Sequence, residues 1–291
     1  IRMLFHRALP VALGAGVYQI NLVIDMIIAS TLPSGSISYL FYADRVSQLP
    51  LGVVGVAVGT ALLPILSQQL QSGKHEEAMK SQNRALEYSL LLTLPAAIGL
   101  YVISDLIITV LFERGSFGLG DTLATAAALS IYATGLPAFV LIKVFTPGFF
   151  AREDTKTPVK ISVLAMLINI AIAISLKDIF LHVGLAIAMS VSAWFNALLL
   201  VYILNRRGNF TLDLGTLCRL FKILLSVIFM TIFLYVCLNV GSEFVKTVIG
   251  SEALFLMILI GGCTILYGTM LFLTGVIGYS NLKHLTKLHG D

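Results

Sequence analysis

The chain reads as an all-α integral membrane protein of about eight transmembrane helices, on three observations. Its 291 residues are 58% hydrophobic and only 12% charged, with a mean hydropathy of +0.95, whereas a soluble domain carries roughly 25% charged residues. Apolar stretches of about 18 residues or more recur along the whole chain, each long enough as a helix to cross a hydrocarbon core about 30 Å thick. The basic residues gather in alternate gaps between those stretches. Helix is the expected form because every backbone polar group in lipid has to be satisfied within its own segment.

In chain order the spans are expected at 9–32, 36–69, 85–104, 121–150, 157–176, 183–205, 220–240 and 253–278. The second and fourth exceed one straight crossing. Pro50 in the second, and Pro137 and Pro147 in the fourth, each remove a backbone donor, so those helices are expected to bend or break there. The longest polar loop, 68–84, precedes the third span, and the amphipathic stretch 75–87 is expected to be an interfacial helix whose charges form a solvated face. No separate soluble domain fits in any gap. Ile1 is not an initiator Met, and Arg2, His6 and Arg7 lead straight into a span without a small-residue cleavage site. The start therefore reads as lacking a signal peptide and as belonging to a truncated chain.

Orientation follows from the positive charges. With the first span starting inside, fourteen of the 19 Lys and Arg residues fall on inner flanks, among them Lys74, Arg84, Arg152, Lys160, Arg207 and Lys287. Only three, Arg114, Lys177 and Lys246, fall on outer flanks. That asymmetry places both termini in the cytoplasm and agrees with eight spans.

The remaining two basic residues, Arg45 and Lys143, lie within spans. A charge at mid-bilayer costs at least about 2.5 kcal/mol on insertion scales, so such residues usually face a bundle interior or a wet cavity. Arg45 follows Asp44 in FYADRVSQLP, with Gln48 just before Pro50. Successive helical positions point about 100° apart, so Asp44 and Arg45 need not pair, whereas Arg45 and Gln48 at i and i+3 share a face. A planar guanidinium fork there suits phosphate. The alternative is an interhelical clamp that fixes packing. Asp25, in QINLVIDMIIAS, is either a tie to Gln19 or Asn21, a partner of Arg45, or part of the same cavity. With Ser38 these residues form the candidate substrate-binding set: Arg45, Asp44, Gln48, Ser38 and Asp25. Lys143 lies near the inner end of its span and can snorkel.

Other features point to packing. Gly55 and Gly59 in PLGVVGVAVGT form a small-xxx-small pair that, with Gly52, is expected to let helix backbones approach or to slide during transport. Cys218, Cys237 and Cys263 lie in or beside apolar runs without paired spacing, and read as small apolar residues. Neither a metal nor a cofactor is expected. No G-x-S-x-G elbow, Walker A loop or H-E-x-x-H motif occurs, so the chain reads as a transporter and not an enzyme. Spread-out inner charges make nucleic acid an unlikely partner.

Three segments carry a resemblance. SGSISYLFYADRVSQLPLGVVGVAVGTALLPILS is similar to the most recognisable stretch of the MurJ (MviN) family of lipid II flippases, in the MOP exporter superfamily. KVFTPGFFAREDTKTPVKI resembles the family's Lys-x-x-x-Pro-Gly-Phe-Tyr segment at the cytoplasmic end of its tenth helix, and QINLVIDMIIASTLPSGS resembles its seventh helix. The likeness covers residues 1 to about 210 in sequence, and the last two helices by position and hydropathy.

The resemblance implies helices seven to fourteen of a fourteen-helix transporter, with 1–210 as the second six-helix lobe and 211–291 as two additional helices with a short cytoplasmic tail. It implies a bacterial inner-membrane protein, with membrane lipid around it and an N-terminal lobe missing, that moves lipid II to the outer leaflet by alternating access. The family's eighth-helix cavity arginine falls on Arg45, facing the pyrophosphate of that undecaprenyl-linked precursor. Many members carry glutamate where this chain has Gln48, so the resemblance carries no carboxylate or ion site over to that position. The family's lipid-tail groove would run along 220–278. Two rival readings are a related exporter with other cargo, either a polysaccharide-lipid flippase or a multidrug exporter, and a non-transporting scaffold in cell-wall synthesis.

Overall fold

The computed structural model describes residues 16–17, 19–244 and 251–276. The opening of the first span, Lys246 and the C-terminal tail with Lys287 lie outside the described residues. The helices are α1 (Gln19–Ala29), α2 (Ser36–Gln71), α3 (His75–Val102), α4 (Ser104–Phe112), α5 (Leu119–Phe150), α6 (Lys156–Arg206), α7 (Leu214–Phe244) and α8 (Glu252–Leu273). The described residues divide into two compact units, one up to Leu212 and a second from Asp213.

Six of these helices, α2, α3, α5, α6, α7 and α8, are long and apolar enough to cross a bilayer. At 51 residues, α6 is two crossings in one. A straight helix of that length would run about 75 Å, yet Arg207 beyond its end reaches Asp154 before its start at 2.6 Å. The reversal is at Leu181, where φ is 52° and ψ −132°, a combination that a residue with a Cβ rarely adopts. Gly184 makes the return possible, because a Cβ there would sit 2.8 Å from the Leu176 carbonyl oxygen. The expected loop at 177–182 is thus a single strained residue between two helical limbs. The six long helices thus supply seven crossings among the described residues, and the apolar α1 is the described part of the first of the eight expected spans.

Three local expectations change. Of the expected bend or break at the prolines, a break is absent: both α2 and α5 stay helical through Pro50, Pro137 and Pro147. Each proline removes one donor, and the neighbouring turns carry the helix through in a setting where no water competes for the backbone. The stretch 75–87 is not a separate interfacial helix but the start of the continuous α3. Its face holding Gln82, Asn83 and Glu87 is buried, while Glu76, Glu77, Lys80 and Arg84 remain exposed. The short apolar helix α4 was hidden because nine residues are too few to register as a span.

The first unit is built around α5, which is buried along most of its length. Lipid is as apolar as the side chains, so helix association in a bilayer depends on close van der Waals contact, and α5 supplies small residues where neighbours press on it. A Cβ at Gly135 would lie 3.1 Å from the Ser190 Cα on α6, and one at Gly148 would lie 2.6 Å from the Gln82 amide on α3. In the second unit the buried positions Leu256, Leu259, Cys263 and Tyr267 of α8 follow the 3.6-residue period of one helix face.

Many of the polar contacts of the first unit gather at its two ends. At one end Tyr39 donates to Asp121 at 2.7 Å, Thr122 to Glu113 at 2.8 Å, and the His182 ring meets the Ala124 carbonyl at 2.9 Å. At the other, Gln69 donates to Ser81, and Arg152 and Arg207 close the ends of α5 and α6.

Candidate functional site

A cavity of about 120 Å³ lies within the first unit, walled by α1, α2, α5 and α6. Its lining is mostly apolar, with Leu22, Leu40, Phe41, Leu185 and Met189 among it, and it brings together two of the candidate residues, Asp25 and Asp44. Arg45, Gln48 and Ser38 are not part of that lining.

Asp25 is held by asparagines. Asn21 donates to it at 3.2 Å along α1, and Asn169 of α6 donates at 2.8 Å while also reaching the Asn21 amide oxygen at 3.0 Å. The expected tie to Asn21 is therefore present, and the stronger tie is to a helix that the sequence did not connect. Asn169 is fully buried. Its signal in the sequence was a lone amide inside the apolar run SVLAMLINIAIAIS, and a buried amide in lipid has to find partners.

On α2, Gln48 turns its amide to the Asp44 carboxylate one turn back, and the Ser47 hydroxyl donates to the Asp44 carbonyl at 2.9 Å. Gln48 thus serves Asp44 instead of sharing a ligand face with Arg45. The Arg45 side chain is exposed and its guanidinium carbon stands 4.8 Å from the centre of the Phe41 ring, a cation–π geometry. Among the described residues no carboxylate lies within ion-pair distance of Arg45. Ser38 is exposed in the first turn of α2. Phe41 lines the cavity, so Arg45 touches the site through that ring, and among the described residues its guanidinium donates no hydrogen bond.

The second recognisable segment behaves differently. Past the end of α5, Asp154 caps α6 by accepting from the Thr157 amide at 3.0 Å and its hydroxyl at 2.6 Å, and it pairs with Arg207 at 2.6 Å. Arg152 donates to the Gly148 carbonyl at 2.6 Å and to the Asn209 carbonyl at 3.1 Å. Burial pushes the Asp154 carboxyl up, but Thr157 and the Arg207 guanidinium outweigh it and hold the group below the usual aspartate range. Burial pulls Arg152 below the usual arginine range. These charges are spent on closing the fold.

Among the described residues no helix backbone packs on the glycine stripe of α2. Nothing among the described residues lies within 4 Å of where a Cβ would stand on Gly52 or Gly59, and at Gly55 the Lys143 side chain of α5 lies across the helix, its Cδ 2.6 Å from that point. Among the described residues, three or more His, Cys, Asp or Glu side chains nowhere gather as a metal site.

The profile of the family described as lipid II flippase MurJ matches residues 1–260. The probable lipid II flippase MurJ of Rhizobium meliloti (strain 1021) is 46% identical over 239 residues, covering 82% of this chain and 44% of the relative. That of Rickettsia prowazekii (strain Madrid E) is 37% identical over 277 residues, covering 94% and 54%. Among solved structures, a lipid II flippase MurJ in an inward closed conformation superposes with a TM-score of 0.74 at 29% identity, over 91% of this chain and 52% of that one. The chain spans about half the length of the relatives it matches.

Proposed function

The chain belongs to the MurJ family of lipid II flippases, and from that premise we propose that it forms the C-terminal part of a transporter that moves lipid II from the inner to the outer leaflet of the bacterial cytoplasmic membrane. In this reading 1–210 is the second transporter lobe, 211–291 supplies two further helices, and an N-terminal lobe completes the cavity. The end of the bundle that holds Arg152, Lys156, Lys160, Arg206 and Arg207 faces the cytoplasm, as positive-inside loops do.

Flipping lipid II carries a pyrophosphate and a large polar head past hydrocarbon that would charge many kcal/mol for them, while the tail stays in lipid. A cavity with a cationic wall meets that demand. The observation that supports the assignment is Arg45: a cation on a membrane-spanning helix, stacked on Phe41 and without a carboxylate in ion-pair reach among the described residues. A guanidinium so placed keeps its planar fork for phosphate oxygens. Asp44 and Asp25 shape the cavity beside it, each already held by an amide, and Ser38 stands two turns along the same helix.

The test is complementation by the full-length transporter with protein level checked by blot, together with lipid II binding to the purified protein. Arg45→Ala at normal level should abolish growth and weaken binding, without rescue by Asp44→Asn or Asp25→Asn. Rescue by either would make Arg45 a clamp. Binding of a different lipid-linked sugar in preference to lipid II would sink the substrate assignment.

A further inference from the structure

We propose that Lys143 is a second cationic contact for the diphosphate of the transported lipid, a separate station from Arg45 along α2. The proposal rests on the transport reading above and adds a residue to it. Three observations converge. Lys143 is a cation inside a membrane-spanning helix, half-buried, and among the described residues its amine has no hydrogen-bond or ion-pair partner. An intramembrane charge without a counter-charge is costly unless something transient satisfies it.

Second, the lysine side chain is laid against the neighbouring helix. It lies across α2 at Gly55, with Nζ 2.9 Å and Cδ 2.6 Å from where a Cβ would stand. A Cβ there would push the lysine off that path. Third, Gly52 and Gly59 are seven and fourteen residues after Arg45, so they continue its side of α2, and nothing stands within 4 Å of their Cβ positions. Among the described residues, α2 thus has two open glycine positions on the Arg45 side, one before and one after the level at which Lys143 crosses it. Ten residues separate Arg45 from Gly55, about 15 Å of helix rise. That rise sets Lys143 apart from Arg45 as a second contact along α2.

The test uses the full-length transporter, with lipid II binding and transport measured for Lys143→Met, Lys143→Arg and Gly55→Ala. Lys143→Met keeps the apolar stem and removes the charge. It should weaken lipid II binding and slow transport roughly tenfold or more, the scale of a lost charge-assisted hydrogen bond, while Lys143→Arg restores most of both. Inorganic pyrophosphate should compete with lipid II on the parent protein and compete less well on Lys143→Met. Gly55→Ala, which displaces the lysine, should impair the parent but add nothing on top of Lys143→Met. Unchanged binding and transport in a stably expressed Lys143→Met would overturn the proposal alone. A parent protein that binds no lipid II would bring down the transport reading, and this inference with it.

Discussion

The two segments that carry the family likeness use their charges in opposite ways. Around Arg45 on α2 the guanidinium is exposed, rests on Phe41 and has no carboxylate within ion-pair distance among the described residues. Between α5 and α6 the donors of Arg152 and Arg207 go to the Gly148 and Asn209 carbonyls, Asp154 and the Thr157 hydroxyl. Similar residue types in equally recognisable motifs thus do different work. The second segment closes a fold, because charges in a loop can be matched by partners on the same chain. The first keeps a cation open inside a membrane helix, where lacking a partner is expensive and a ligand can supply one.

The largest expected effect breaks this contrast at its open side. Arg45→Ala should lose transport completely in complementation at normal protein level, and Arg45→Lys should retain only part of it, since a lysine keeps the charge without the fork. Thermal unfolding of the purified Arg45→Ala protein should stay close to that of the parent. A large drop in its Tm would mean that Arg45 holds the fold together after all, and the contrast would fail.

The next effect falls on the hairpin that brings the closing segment together. Gly184→Val would drive a side chain into the Leu176 carbonyl, an overpacking that costs about 1–3 kcal/mol or more because the neighbour is backbone. Size-exclusion profiles in detergent should show less folded protein and a lowered Tm. Gly52→Ala, where nothing lies within 4 Å, is the control and should leave both unchanged.

At the closed side the effects are small. Arg207 and Asp154 are partly exposed, so Arg207→Ala should cost about 0.2–1 kcal/mol and leave transport near the parent level. Unfolding in detergent and complementation measure the two. A transport null at full stability would show that the closing segment also serves the substrate.

The smallest effect is its pH dependence. Asp154 is held below the ordinary aspartate value, so it contributes stability above that value, about pH 3.9, and loses it as pH falls through its own lower one. The Tm gap between parent and Asp154→Asn should therefore be constant at neutral pH and shrink in acid below about pH 4. A gap that widens in acid would contradict the assignment.

Much of the fold was legible in the sequence because bilayer thickness and the backbone's need for internal partners convert hydropathy directly into helices. Hidden features were those set by single contacts. Leu181 looks like any apolar residue, and nothing local says that one residue turns α6 back. Asn169 stood out as polar, but its partners Asn21 and Asp25 are 148 and 144 residues away. Gln48 shares a face with Arg45 by spacing, yet the Asp44 carboxylate one turn earlier captures its amide. The glycines of α2 match a packing motif, and the structure gives Gly55 to a lysine instead.

By itself the sequence determined the class of the protein, its crossings, the family and the unusual position of Arg45, because each follows from composition, period or motif along one chain. Tertiary structure alone decided which charges were consumed. Whether a cation inside a membrane is paired depends on carboxylates and amides brought near it by other helices, and only packing α1, α2, α5 and α6 together left Asp25 tied to Asn169 while Arg45 stayed open.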